Sequence, residues 1–218
     1  MDIRVGPDPS ERAAVWIARR LRDAHRRRGE AFLAMSGGST APPMIAALLD
    51  QDVPWETTTV WQVDERVAPD GDDRRNAVQL AVLPCRVRLM PVTVSDLRRG
   101  ARQYAMSLPE RLDVVHLGLG EDGHTASWPP GDAVPIDSER SVELVPEFHG
   151  VRRMTLTRRV VNGARSRAVL TVGGSKQEMV ERWLLRDPDL PITAVRSSST
   201  WAFLDDAAAP RGSVASVS

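Results

Sequence analysis

Residues 116–127 read HLGLGEDGHTAS and set Asp122 and His124 two positions apart among three glycines. An imidazole titrates near neutrality, and a neighbouring carboxylate can fix its orientation, so the pair suits general base work. A structural loop histidine is the plainer alternative. Gly118, Gly120 and Gly123 also carry the GxGxxG spacing of a dinucleotide site. That site needs a helix to start at the glycines, yet Trp128, Pro129, Pro130 and Gly131 interrupt the chain at once. The glycines therefore predict a loop at the carboxyl end of a strand, where open α/β sheets bind ligands.

Three further stretches offer charge or hydrogen-bond donors. Ser36, Gly37, Gly38, Ser39 and Thr40 form SGGST between an apolar run and a helical pattern. Backbone N–H groups and hydroxyls would converge there at the positive end of a helix dipole, a phosphate-binding arrangement. A glycine turn with a capping Ser or Thr needs the same residue types. VDER, residues 63–66, puts Asp64, Glu65 and Arg66 where a strand meets a loop; one charge fits a surface ion pair and two fit a cleft. Arg153 precedes the strand-like MTLT, and GGSK ends on Lys176, the only lysine in the chain. A lysine is a compact point charge suited to a phosphate oxygen, although a solvated helix start accounts for it as well. His116 lies within a strand and reads as a core or sheet-lining residue, whereas His25 and His149 carry no pattern.

The elements that must position these groups alternate. A helix is predicted over residues 10–28 with Ser10 as cap and Gly29 as stop, a strand over 31–35, and a helix over 42–49. Strand-like runs follow at 59–63, 114–117, 154–157 and 168–172. This βα alternation predicts an α/β fold with a mostly parallel sheet. No internal repeat or linker divides the chain, so residues 1–206 read as a single domain, and 207–218 as a small, polar tail that frays.

Composition narrows the class. The 218 residues carry 29 basic and 29 acidic groups, so no global field attracts nucleic acid or an anionic membrane. The arginines at 19, 20, 22 and 26–28 fit a solvated helix face. One cysteine, Cys85, allows no intrachain disulfide and no multi-cysteine zinc site, which favours a reducing, cytoplasmic setting. There is no apolar run of 18 residues and no signal-like start.

Taken in order, SGGST, VDER with Asn76, GLGEDGHTAS, RMTLT and GGSK resemble the 6-phosphogluconolactonases and their sugar-phosphate isomerase and deaminase relatives. The resemblance spans about residues 30–205. It implies a Rossmann-like three-layer sandwich, no metal and no nucleotide cofactor. The implied substrate is a small sugar phosphate, 6-phosphogluconolactone; separately from the resemblance, a monomer or small homo-oligomer is expected. It further implies that SGGST, Arg153 and Lys176 hold the 6-phosphate, that His124 activates water, and that Arg66 and Asp64 stabilise or orient. In the related deaminases the DGH loop runs on to an Asn-Glu-Pro whose glutamate assists the histidine; here it continues TASWPP, which favours the lactonase. Ser127, Trp128, Pro129, Pro130 and Gly131 stand where the lactonase loop usually reads Ser-Leu-Phe-Pro-Gly, so an altered pocket wall is expected. Ala41 displaces a proline to Pro42, and Arg75 stands where serine is common.

Overall fold

The computed structural model describes residues 1–211. In chain order the elements are β1 (Asp2–Val5), α1 (Pro9–Arg28), β2 (Ala31–Met35), α2 (Ala41–Leu49), β3 (Thr58–Gln62) and β4 (Asp64–Arg66). They continue with α3 (Asn76–Leu80), β5 (Arg86–Arg88), α4 (Leu97–Ser107), β6 (Val114–Gly118), α5 (Val134–Asp137) and β7 (Val142–Phe148). The last are β8 (Val151–Leu156), α6 (Arg158–Gly163), β9 (Ser166–Thr171), α7 (Gln177–Leu184) and β10 (Thr200–Leu204).

Seven strands pair in the order β1-β10-β9-β6-β2-β3-β5, and every pairing is parallel. A parallel sheet needs both faces covered. Ala13, Ile17 and Leu21 of α1 and Met44, Ile45 and Leu48 of α2 bury one face against Leu33, Val60 and Val114. Tyr104 of α4, Val161 of α6 and Val180 and Trp183 of α7 bury the other against Ala34, Val115 and Val169. The result is an α/β/α sandwich around one sheet. From β2 the chain moves outward through β3, while from β6 it moves the opposite way through β9. The carboxyl ends of β2 and β6 therefore flank a topological switch point, the place where such sheets bind ligands.

Four details differ from expectation. α1 opens on Pro9, whose missing N–H costs nothing at a first helical position, so Ser10 is not its cap. VDER does not end β3. Asp64–Arg66 break away as β4 and pair antiparallel with β8, which pairs in turn with β7. MTLT thus belongs to a second, antiparallel sheet, because β7 and β8 are joined by a two-residue turn at His149 and Gly150, far too short for a parallel crossover. Finally, residues 207–211 are held rather than frayed. Ala208 and Ala209 are buried, the Gln177 amide donates to the Ala209 carbonyl at 2.8 Å, and Arg211 N donates to Glu181 at 2.8 Å. The rest of the expected tail, 212–218, lies outside the described residues.

His116 sits on β6, fully buried, and neither ring nitrogen has a side-chain hydrogen-bond partner among the described residues. Burial, opposed only by the nearby Ser36 backbone, pushes its pKa from 6.5 down to about 4. The unfolded chain thus binds a proton between those values that the folded chain refuses. Stability is full above pH 6.5 and falls as pH drops to 4, by about 3 kcal/mol from this group. Urea unfolding of the parent and His116→Leu at pH 7 and about pH 4.5 checks this. The leucine variant is expected to lose less on acidification, and an equal loss would remove His116 as the source.

Candidate active site

The loops after β2, β6 and β9 close on a cleft of about 200 Å³ together with β4 and β8. Ser36, Gly37, Gly38, Ser39 and Thr40 form one wall; Asp64, Arg66 and Arg153 form a second; His124 and Lys176 complete it. Ten of the eleven residues singled out in the sequence line this one space, and the eleventh, Asp122, stands directly behind His124.

The phosphate wall follows from a strand that ends under a helix start. Thr40 occupies the cap position of α2, yet its side chain makes no capping hydrogen bond. The hydroxyls are thus not spent on capping, which weighs against the ordinary-turn alternative. Ser36 keeps a buried hydroxyl with no protein partner, as Thr171 does across the cleft. Gly37 allows Asn76 to come close, since a Cβ there would lie 2.1 Å from Asn76 Oδ1.

The VDER residues divide by depth. Asp64 accepts from Ser127 Oγ at 2.7 Å and from the Asn76 amide at 3.3 Å, which aims its carboxylate along the cleft wall. Glu65 does not line the cleft, and it is no surface charge either, for it is fully buried. It accepts from the backbone N–H groups of Asn76 and Ala77 at 2.8 and 2.9 Å, so it caps α3, and from Gln62 at 2.7 Å. Arg75 lies 3.4 Å from it, which explains the arginine at that position: it neutralises a buried carboxylate. Arg66 donates to the Arg74 carbonyl, and its buried Nε is unpartnered.

β4 and β8 pair so that Arg66 lies opposite Arg153. Burial lowers the pKa of Arg153; Asp64 and Asp122 oppose this, and Arg66 adds to it. Two guanidinium groups in register, one of them partly desolvated, are a receptor for a negative charge. Lys176 follows β9 on a short 3-10 turn, 3.7 Å from the exposed Glu121, and so reaches the cleft from the opposite rim.

His124 is oriented by its own loop. Its Nδ1 lies 2.5 Å from Asp122 Oδ1, and its backbone N–H donates to the same oxygen at 3.1 Å. Burial pushes the Asp122 carboxyl up, but these bonds outweigh it and hold the group well below the usual carboxylate range. A charged Asp122 fixes the proton on Nδ1, leaving Nε2 as the lone-pair atom. The Phe148 ring meets the imidazole edge-on, with the ring centres 5.0 Å apart. Residues 119–133 contain no helix, as the loop reading of the GxGxxG spacing requires. Trp128 is fully buried and donates to the Leu156 carbonyl at 2.8 Å, so the expected change of pocket wall does not occur there; of residues 126–131 only Ala126 lines the cleft.

Gly120 permits the His124–Asp122 pair. A Cβ there would sit 2.0 Å from His124 Nδ1 and 2.6 Å from Asp122 Oδ1, so both side chains would have to move. Gly120→Ala is expected to lower turnover about 100-fold, the usual consequence of an ångström's misplacement, while circular dichroism stays that of the parent. Parental turnover in the variant would show that the pair's position does not set the rate.

His149, which carried no pattern in the sequence, approaches Asp122 at 3.5 Å from the β7–β8 turn. No local signal marks it, because the hairpin alone brings it across. Asp122, His124 and His149 each offer a ligand atom within 4.8 Å of one another, a geometry that can hold a metal ion.

Residues 8–203 match the family described as glucosamine-6-phosphate isomerases/6-phosphogluconolactonase. The chain belongs to that family. Among family relatives, a protein of Synechocystis sp. named 6-phosphogluconolactonase is 33% identical over 77% of each chain. One of the same name from Mesorhizobium japonicum is 33% identical over 82% of each. The crystal structure of a 6-phosphogluconolactonase from Shewanella baltica superposes with a TM-score of 0.86 at 25% identity, covering 94% of this chain and 97% of the other. Family membership thus agrees with the resemblance read from the five motifs and with the three-layer sheet.

Proposed function

We propose that this chain hydrolyses 6-phospho-D-glucono-1,5-lactone to 6-phosphogluconate, a step of the oxidative pentose phosphate pathway, with His124 as general base. The observation that carries the reading is the orientation of His124 by Asp122 in a cleft whose opposite wall is a phosphate-type turn. SGGST, Arg153 and Lys176 hold the 6-phosphate through N–H groups, hydroxyls and charge. His124 Nε2 takes a proton from water as its oxygen bonds to the lactone carbonyl carbon. The tetrahedral intermediate carries negative charge, which Arg66 stabilises. The carbon–ring-oxygen bond then breaks, and the imidazolium returns its proton to the departing oxygen. Asp64 accepts from substrate hydroxyls and fixes the ring.

The substrate alone supplies the electrophile, so neither a metal nor a nucleotide cofactor enters the reading. We take the protein to act in the cytoplasm as a monomer or small homo-oligomer, without nucleic acid or membrane. No helix among the described residues is long and apolar enough to cross a membrane.

Acid release from freshly made lactone, measured above its spontaneous hydrolysis and repeated with a chelator, tests the proposal. The expected result is a large excess over background that the chelator leaves intact. No excess, or ammonia release from glucosamine 6-phosphate, would sink the lactonase reading. A rate lost on chelation would overturn the metal-free mechanism and point to Asp122, His124 and His149.

A further inference from the structure

A second cavity, of about 400 Å³, opens at the other end of the sheet. Asp113 precedes β6 and Ser166 opens β9, so it lies at the amino ends of strands whose carboxyl ends serve the cleft. Its side wall is the face of α1 that carries Trp16, Arg20 and Asp23. The arginines expected on a solvated helix face are thus in part the lining of a concave site.

The charge inside is unbalanced. Six arginines line the space against two aspartates. Asp113 already serves Arg28 at 2.6 Å, Arg165 at 3.3 Å and the Phe32 backbone N–H at 2.9 Å. Asp23 is engaged by Arg26, which does not line the cavity. Arg19, Arg20 and Arg27 have no carboxylate within 4.0 Å among the described residues.

Arg20 is the most telling. Its guanidinium carbon lies 3.5 Å from the Trp16 ring centroid and 4.3 Å from that of Trp201. The two indoles flank the guanidinium and leave its N–H donors unspent, for Arg20 makes no side-chain hydrogen bond among the described residues. Burial first, and repulsion from Arg19 second, push its pKa down to about 10. Asp23 and Asp2 oppose these effects from a distance, but a half-buried cation with no carboxylate within 4.0 Å is costly for a purely structural residue, and an anion would offset that cost. A water-exposed arginine face needs no such aromatic bracket.

We propose that this cavity is a binding site for a small polyphosphate anion, seated between Arg20 and the Arg19 and Arg27 side chains. Guanidinium forks match phosphate oxygens in pairs, and several in one concavity select a chain of phosphates over a single one. The volume lies within the range of small-molecule sites rather than of a flat protein interface. The site is distinct from the cleft and does not rest on the lactonase reading.

The test is calorimetric titration of the full chain with sodium tripolyphosphate in about 100 mM chloride, which screens unspecific attraction. Arg20→Gln and the exposed double variant Arg19→Gln/Arg27→Gln are titrated beside it, with Lys176→Ala as the control for the cleft. The expected result is saturable binding that weakens at least about tenfold in both arginine variants and persists in Lys176→Ala. The double variant removes no packed side chain, so it remains informative if Arg20→Gln unfolds. Three results would overturn the proposal: no saturation, unchanged affinity in the double variant, or equal binding of a short polyglutamate peptide.

Discussion

His124→Ala is expected to lower lactone turnover by a factor of about 10²–10⁴ over the whole pH range, with the fold intact. The range is what a positioned general base contributes, and the geometry indicates why this imidazole qualifies. Nδ1 is tied to Asp122 at 2.5 Å, Phe148 flanks the ring, and the residue lines the cleft. Asp122→Ala leaves the imidazole in place but free to turn, and a smaller loss follows. The measurement is the initial rate of acid release from fresh lactone with the spontaneous rate subtracted. The His124 side chain stands at the cleft surface and is a quarter exposed in the parent, so circular dichroism is expected to match. A loss of less than about tenfold would remove His124 as base and shift attention to electrostatic stabilisation by Arg66 and Arg153.

Glu65→Ala is expected to destabilise the fold by about 3–5 kcal/mol, the usual result of removing one partner from a buried ion pair. The carboxylate is fully buried and holds the start of α3 through the N–H groups of Asn76 and Ala77, as well as the Arg66 N–H, Gln62 and Arg75. Its loss strands the donors of α3 and leaves the buried Arg75 guanidinium with Asp70 as its one carboxylate partner. Urea unfolding at pH 7 reads the change directly, and the melting temperature is expected to fall by roughly 10 °C. Asn76 and Asp64 hang from the same network at the cleft wall, so activity falls with it. Glu65→Gln, which keeps the shape and an accepting oxygen, loses less. A change under about 1 kcal/mol in the alanine variant would show that α3 is held elsewhere.

Much of the site was legible in the chain. SGGST stands between β2 and α2, GLGEDGH after β6 and GGSK after β9, because each motif adjoins the element whose periodicity announces it. Apolar spacing determined α1, β2 and α2 to within a residue, and Pro129 with Pro130 settled that no helix follows the glycines. Those are local properties, written in neighbours that also interact in space.

What only the tertiary structure decided involves partners far apart in the chain. Asp64 meets Ser127 from 63 positions away, and Arg28 meets Asp113 from 85. β4 leaves the main sheet for an antiparallel partner because β8 presents its edge there, a pairing that short apolar runs do not specify. Nothing local to Glu65 and Arg75 announces that the fold buries them beside each other. Trp16 and Trp201 bracket Arg20 only once β10 has joined the sheet beside α1. Residue types and their local spacing determine which chemistry this protein can perform; burial, register and long-range pairing determine which of those groups stand free to perform it.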